Sequence, residues 1–168
     1  MDSTGRMWVV DRGGDRVNVY NADRTVVGSF TSPVITFVDP TGMVIDSEDN
    51  IYIADQGTDL VHKFTFDGTK LNWVFTFEAT DDGESILQKT ETLAIDEARN
   101  LFYASSEDEG LAEVYELSTG NYLGDQVGEH QIGVVPQPGR FADDIEGMTA
   151  DKINQYMFMS DERNGRFL

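Results

Sequence analysis

Two short runs of this sequence concentrate enough carboxylate to do chemistry: Glu107-Asp108-Glu109 and Asp143-Asp144-Ile145-Glu146-Gly147. In a strand-like segment Asp144 and Glu146 project to the same side. Two carboxylates held that close repel unless a proton or a cation lies between them. Calcium suits such a setting, because it accepts about six to eight oxygen ligands from carboxylates, carbonyls and water without demanding one geometry. Glu107, Glu109, Asp144 and Glu146 are therefore the candidate metal ligands. Solvated turns that bind nothing are the plainer reading of the same residues. A glycosidase-type carboxylate pair would need a separation that sequence spacing does not supply. His62 and His130 lie too far apart in sequence to suggest a metal triad, and no phosphate-loop, nucleophile-elbow or zinc-protease pattern is present. Arg12 and Arg16 could meet an anion near the loops.

Composition narrows the partners. The formal charge of −19 sets 31 acids against 12 bases, so phosphate backbones are repelled and nucleic acid is not an expected partner. The excess is uneven: residues 1–80 hold 12 acids and 6 bases, residues 81–168 hold 19 and 6. A solubilising surface and a cation site in the second half both fit. There is no cysteine, hence no disulfide or thiolate metal site. The opening residues MDSTGRMWVVDR lack the basic start and apolar run of a secretion signal, and no apolar run is long enough for a transmembrane segment.

These acids need a scaffold, and the chain repeats itself. MWVVD at 7–11 returns as IYIAD at 51–55, LFYAS at 101–105 and, more loosely, YMFMS at 156–160. An aspartate stands nine residues before the end of each run: Asp2, Asp46, Asp96 and Asp151. These aspartates suit turns, where the side chain accepts nearby backbone N–H groups. Asp11 and Asp55 follow a strand and are expected to tie down the next loop. A short segment precedes each aspartate from the second unit on: GMVID at 42–46, TLAID at 92–96 and GMTAD at 147–151. Third strands are expected at 16–20, 60–64 and 111–115, and fourth strands at 26–30, 72–77 and around Tyr122.

Four short strands in each 40–50 residues is the period of propeller blades. The expected fold is all-β: a β-propeller arc of about three and a half four-stranded blades, part of a six-bladed or similar ring. The blades fall at approximately 2–31, 42–77, 92–124 and 144–168, with long connections at 78–91 and 124–142. Trp8, Tyr52, Phe102, Tyr20, Phe64 and Tyr115 are expected to pack between blades. An open arc leaves two apolar faces, to be covered by further blades of the same parent chain or by a second copy.

Residues 2–77 resemble NHL-type repeats, which form propellers, in DSTGRMWVVDRGGDRVNVYNADR and PTGMVIDSEDNIYIADQGTDLVHKFTFDG. The second half resembles the β-propeller phytases, calcium-dependent enzymes that release phosphate from inositol hexakisphosphate. The matching stretches are LAIDEARNLFYASSEDEGLAEVYEL (93–117) and DDIEGMTADKINQYMFMSDERNGRF (143–167). That resemblance places Glu107 and Glu109 among the calcium ligands and Asp144 and Glu146 at a calcium–phosphate centre. Ser160, Asn164 and Arg166 approximate the family's serine- and asparagine-containing bend. It implies attack on phosphorus by a calcium-bound water, and a secreted, periplasmic or cell-surface setting. The family's DDPAIW-like and NNVD-like segments are absent, and lysines and arginines to hold a polyphosphate are not evident. Two other readings stand beside it: a non-enzymatic NHL-like binding or structural module, and a calcium-dependent sugar-lactone hydrolase with one central metal.

Overall fold

The computed structural model describes residues 1–77, 80–81, 84–106, 111–127, 145–151, 156–161 and 166–167. The repeated apolar runs form antiparallel sheets in simple succession. β1 (Met7–Asp11), β2 (Arg16–Tyr20) and β3 (Val26–Phe30) make the first sheet. β4 (Pro40–Ile45), β5 (Ile51–Asp55), β6 (Leu60–Phe66) and β7 (Leu71–Thr76) make the second. A two-stranded hairpin follows, β8 (Thr80–Asp81) with β9 (Glu84–Ser85). The third sheet holds β10 (Leu93–Asp96), β11 (Leu101–Ser106), β12 (Leu111–Glu116) and β13 (Tyr122–Val127). β14 (Ile145–Asp151), β15 (Tyr156–Asp161) and β16 (Arg166–Phe167) make the last. β4 touches β10, and β10 touches β14, so the first strands of successive sheets line the inside of an arc. Each sheet is a blade, and the whole is a partial propeller.

Strand alternation decides what each blade buries, because successive side chains point to opposite faces. In the second blade Ile51, Ile53 and Phe64 pack on Val17 and Val19 of the first. Tyr52, Ala54 and Val61 turn the other way, onto Phe102, Ala104 and Tyr115 of the third. Aromatic rings dominate this layer: Phe77 stacks on Phe102 at 4.2 Å, and Tyr52 lies 5.3 Å from Phe102. Ala94, Tyr103 and Val114 face the fourth blade, meeting Met148 and Met157.

Tyr103, not Phe102, is thus the counterpart of Tyr52. The strand ends that pair with the start of each third strand are Asp11, Asp55, Ser106 and Asp161. The nine-residue offset seen in sequence therefore holds structurally in two blades and slips by one in the others. The turn after the first strand explains it. It spans 46–50 in the second blade but only 97–100 in the third, and β11 is one residue longer than β5. A one-residue slip exchanges the two faces of a strand.

The turn aspartates behave as expected of caps. Asp2 accepts hydrogen bonds from the Thr4 and Arg6 backbone N–H groups and from Trp8 Nε1. Asp46 repeats this with Glu48, Asn50 and the Tyr52 hydroxyl. Asp96 accepts from the Arg99 N–H at 3.2 Å. Burial works against ionisation at Asp2, yet its bonds from Trp8, Thr4 and Arg6 outweigh this and hold the carboxyl well below its ordinary range.

His62, on β6 facing the first blade, is only 2 % exposed. Its Nδ1 lies 2.8 Å from the Thr76 hydroxyl, which itself accepts from Trp73 Nε1. That contact suits a neutral ring in either tautomer, because the hydroxyl can donate to Nδ1 or accept from it. Burial pushes its pKa down to about 4. The unfolded chain takes up that proton near 6.5, so the contribution to stability is whole above 6.5 and drains away as pH falls towards 4. Compared with a His62→Leu variant, the wild-type chain should lose about 3 kcal/mol of relative stability over that interval. Urea denaturation at a series of pH values measures it, and a difference that stays flat with pH contradicts this account.

Candidate functional site

At one end of the blades, the bends between second and third strands meet the connections that lead into the next blade's first strand. The bends are Arg12–Gly14 and Gln56–Thr58, each a single 3-10 turn closed by a left-handed aspartate, Asp15 and Asp59. Those aspartates reach across to the next lead-in. Asp15 accepts from the Asp39 N–H at 3.2 Å, and Asp59 from the Lys89 N–H at 2.8 Å. Asp39 and Lys89 also share positive φ values of 54° and 49°. The lead-ins Asp39-Pro40-Thr41-Gly42-Met43 and Lys89-Thr90-Glu91-Thr92-Leu93 are therefore equivalent. Their backbones nearly touch: a Cβ added at Gly42 would lie 2.2 Å from the Glu91 carbonyl oxygen.

Side chains complete these two junctions. Arg12 Nε lies 3.5 Å from Asp39 Oδ1, and Arg12 Nη2 donates to Gln56 Oε1 at 2.7 Å. Gln56 Nε2 passes the contact on to Glu91 Oε1, also at 2.7 Å. Arg16 is paired with Asp11 at 2.9 Å. The two arginines that could have met an anion are thus committed within the chain. Sequence reasoning passed over Gln56, Glu91 and Thr92. Aligning the lead-ins on one another, rather than the strands, was the signal that could have found them.

The third junction is where the acidic runs fall. Glu107, Glu109 and Asp144 lie outside the described residues. Glu146 belongs to β14, with its side chain outside the description. The residues flanking them are placed. Ile145 is 1 % exposed and packs on Ala112 and Met159, bringing the start of β14 against β12. The pairing register shifts between Ile145 and Gly147, so Glu146 stands in a bulge, and simple alternation does not carry across it. Thr92 Oγ1 of the third blade accepts from the Met148 N–H at 3.1 Å, holding the far side of that bulge. Ser106, directly before Glu107, is fully buried, and its hydroxyl has no hydrogen-bond partner among the described residues. Among the described residues no three His, Cys, Asp or Glu side chains gather as a metal site.

No protein-family model matches the chain, and no curated protein matches it in sequence. Solved structures do. A catalytically inactive virginiamycin B lyase from Staphylococcus aureus, crystallised with quinupristin, superposes with a TM-score of 0.63 at 13% identity. The match covers 99% of this chain and 52% of that one. A glutaminyl cyclase from Myxococcus xanthus matches at 0.63 and 12%, over 95% of this chain and 65% of its own. A nidogen/laminin complex matches at 0.60 and 18%, over 95% and 52%. Such identities establish the β-propeller fold and nothing finer. The chain spans about half the length of the lyase it matches.

Ser106 takes the strand-end position that Asp55 holds in the second blade. Asp55 is buried and accepts from the Val38 N–H at 2.7 Å and the Thr58 hydroxyl at 3.0 Å, so it latches the incoming connection as well as its own bend. Burial raises its pKa, against the pull of those two donors. Its folded form therefore holds a proton more tightly than the unfolded chain, which favours folding as pH falls through that raised value. Asp55→Asn, which keeps an acceptor for Val38, should match or exceed wild-type stability at pH 7. Wild type should gain on it towards pH 4. Asp55→Ala, which orphans the Val38 N–H, should cost about 1–3 kcal/mol. Denaturation midpoints of the three proteins decide it, and an Asn variant as damaged as the Ala variant contradicts it.

Proposed function

We propose that this propeller binds calcium at the junction of its third and fourth blades and, within a complete ring, acts on phosphate monoesters such as inositol hexakisphosphate. The carrying observation is a break in charge balance along equivalent positions. The first junction sets Arg12 against Asp39, with Thr41 beside them; the second has Gln56, Lys89 and Glu91. Counting the closing Asp15 or Asp59 as well, formal charge sums to −1 in each, and Gly110 takes that closing place in the third. The lead-in Asp144-Ile145-Glu146-Gly147-Met148 aligns with Asp39-Pro40-Thr41-Gly42-Met43. Ile145 pairs with Asp161 as Pro40 pairs with Asp55. The third junction then carries Glu107 in the place of Arg12 and Gln56, and Asp144 and Glu146 in the lead-in positions. Its three acids sum to −3, with Glu109 following in the same bend.

Three carboxylates at positions where the other junctions set a donor or a base against an acid would call for a cation, and an oxygen-only ligand set fits calcium. The buried hydroxyl of Ser106, unpartnered among the described residues, agrees with a polar centre beside the run. Calcium held there would neutralise phosphate oxygens and supply a more acidic bound water. The chain's own part is to hold the ligands. Ile145 anchors one side of the bulge by burial, and Thr92 anchors the other through the Met148 N–H. The non-enzymatic binding module remains the second reading, and the match to a propeller solved in a nidogen/laminin complex favours it.

Calcium titration by calorimetry should give saturable binding to the wild-type chain and none to the Asp144→Ala/Glu146→Ala pair. Thr92→Val should bind about tenfold more weakly with its fold intact. Equal binding by wild type and the double variant, or none by either, overturns the calcium site. Release of phosphate from inositol hexakisphosphate by the ring-complete protein with calcium separates the enzyme from the module.

A further inference from the structure

On the opposite end of the blades, a cleft of about 290 Å³ opens between the second and third blades, lined by Asp46, Glu48, Asn50, Tyr52, Lys63 and Leu117 among others. Its origin lies in one repeat position. In the first blade Arg6, four residues after the capping Asp2, donates from Nε to Asp2 Oδ2 at 2.6 Å. Its guanidinium lies 5.8 Å from the Trp8 ring and 5.4 Å from Phe66 of the next blade. In the second blade the same place belongs to Asn50, whose Nδ2 bonds Asp46 Oδ2 at 2.7 Å but whose side chain is far shorter. Tyr52 and Leu117 stand where Trp8 and Phe66 stand, with no guanidinium between them. The cleft is the arginine slot of the neighbouring junction with its walls kept and its filler shortened.

A second departure from the repeat lies on the floor of that cleft. The position paired with Tyr52 is Lys63, whereas the positions paired with Trp8 and Tyr103 are Val19 and Val114, both buried between blades. The Lys63 ammonium sits 5.2 Å from the Tyr52 ring and 5.5 Å from Phe75. No carboxylate among the described residues lies within ion-pairing distance of it, in a chain with a charge of −19. Two of the three acids lining the cleft are already engaged, Asp46 by Asn50 and Tyr52 and Glu97 by the Ser47 N–H and hydroxyl; Glu48 is the third. Their charge is nonetheless felt, since burial first, and then Asp46, Glu97 and Glu48, raise the Tyr52 hydroxyl far above its ordinary range.

We infer that this cleft binds a small molecule bearing both a guanidinium or ammonium group and a carboxylate, of the kind represented by free arginine. The acidic rim takes the cationic group along the path that Arg6 follows next door, and Lys63 takes the carboxylate. A simple anion is repelled by the rim, and a simple cation leaves Lys63 without a partner, so a ligand carrying both charges is favoured over either alone. This reading is independent of the calcium junction, which lies at the other end of the blades.

The test is a calorimetric or NMR titration of the chain with L-arginine and with agmatine, which lacks the carboxylate. L-arginine should bind saturably, and agmatine at least tenfold more weakly. Lys63→Met should bring arginine down to the level of agmatine. Asn50→Arg, which refills the slot with the side chain found in the first blade, should weaken L-arginine at least tenfold while circular dichroism shows the fold retained. Absence of saturable arginine binding to the unmodified chain, equal affinity for the two ligands, or arginine binding unchanged by either substitution overturns the inference.

Discussion

Every strand side chain in this molecule has two destinations, the preceding blade or the following one, and the packing depends on that choice. A blade has no inside of its own. Its apolar residues are buried only because a neighbour presents a matching face, as Tyr52, Phe77, Phe102 and Tyr115 do between the second and third blades. Apolar burial is worth roughly 25 cal/mol per Å². Stability is therefore shared between blades rather than stored within them. It also makes register unforgiving, since a one-residue shift would carry a whole row of apolar side chains to the wrong neighbour.

The polar residues work around that apolar layer and differ at its two ends. At one end an aspartate caps the turn of each of the first three blades from within, and blades are linked by a serine's N–H and hydroxyl, as from Ser3 to Asp49 and from Ser47 to Glu97. At the other end neighbouring blades are joined by donors set against acids, from Arg12 to Asp39 and from Gln56 to Glu91. A repeat built in this way advertises its exceptions. Where a position held by a donor becomes an acid, or a buried valine becomes a lysine, the repeat by itself no longer accounts for the residue.

Much of this was legible in the chain itself. The strand positions of the repeat, the turn aspartates and the propeller architecture follow from periodicity, because a half-buried pleated strand and a capped turn each leave a local signature. The acidic runs around Glu107, Glu109, Asp144 and Glu146 were equally visible as composition. Other features were not. The slip between Phe102 and Tyr103 hides in sequence, since IYIAD and LFYAS align without a gap and only the paired strand reveals which face is which. The commitment of Arg12 to Asp39 and Gln56 joins residues of different repeats and has no local signature.

The amino-acid sequence alone determined the class of fold, the order of its strands and the identity of its turn caps, because each depends on residues close together along the chain. Tertiary structure decided which neighbour each side chain faces, where charges balance between blades, and where Asn50 and Lys63 leave a cleft. Those outcomes depend on residues some 30 to 50 positions apart being brought within a few ångström, as Gln56 and Glu91 or Ser47 and Glu97 are, and only the stacking of one blade on the next does that.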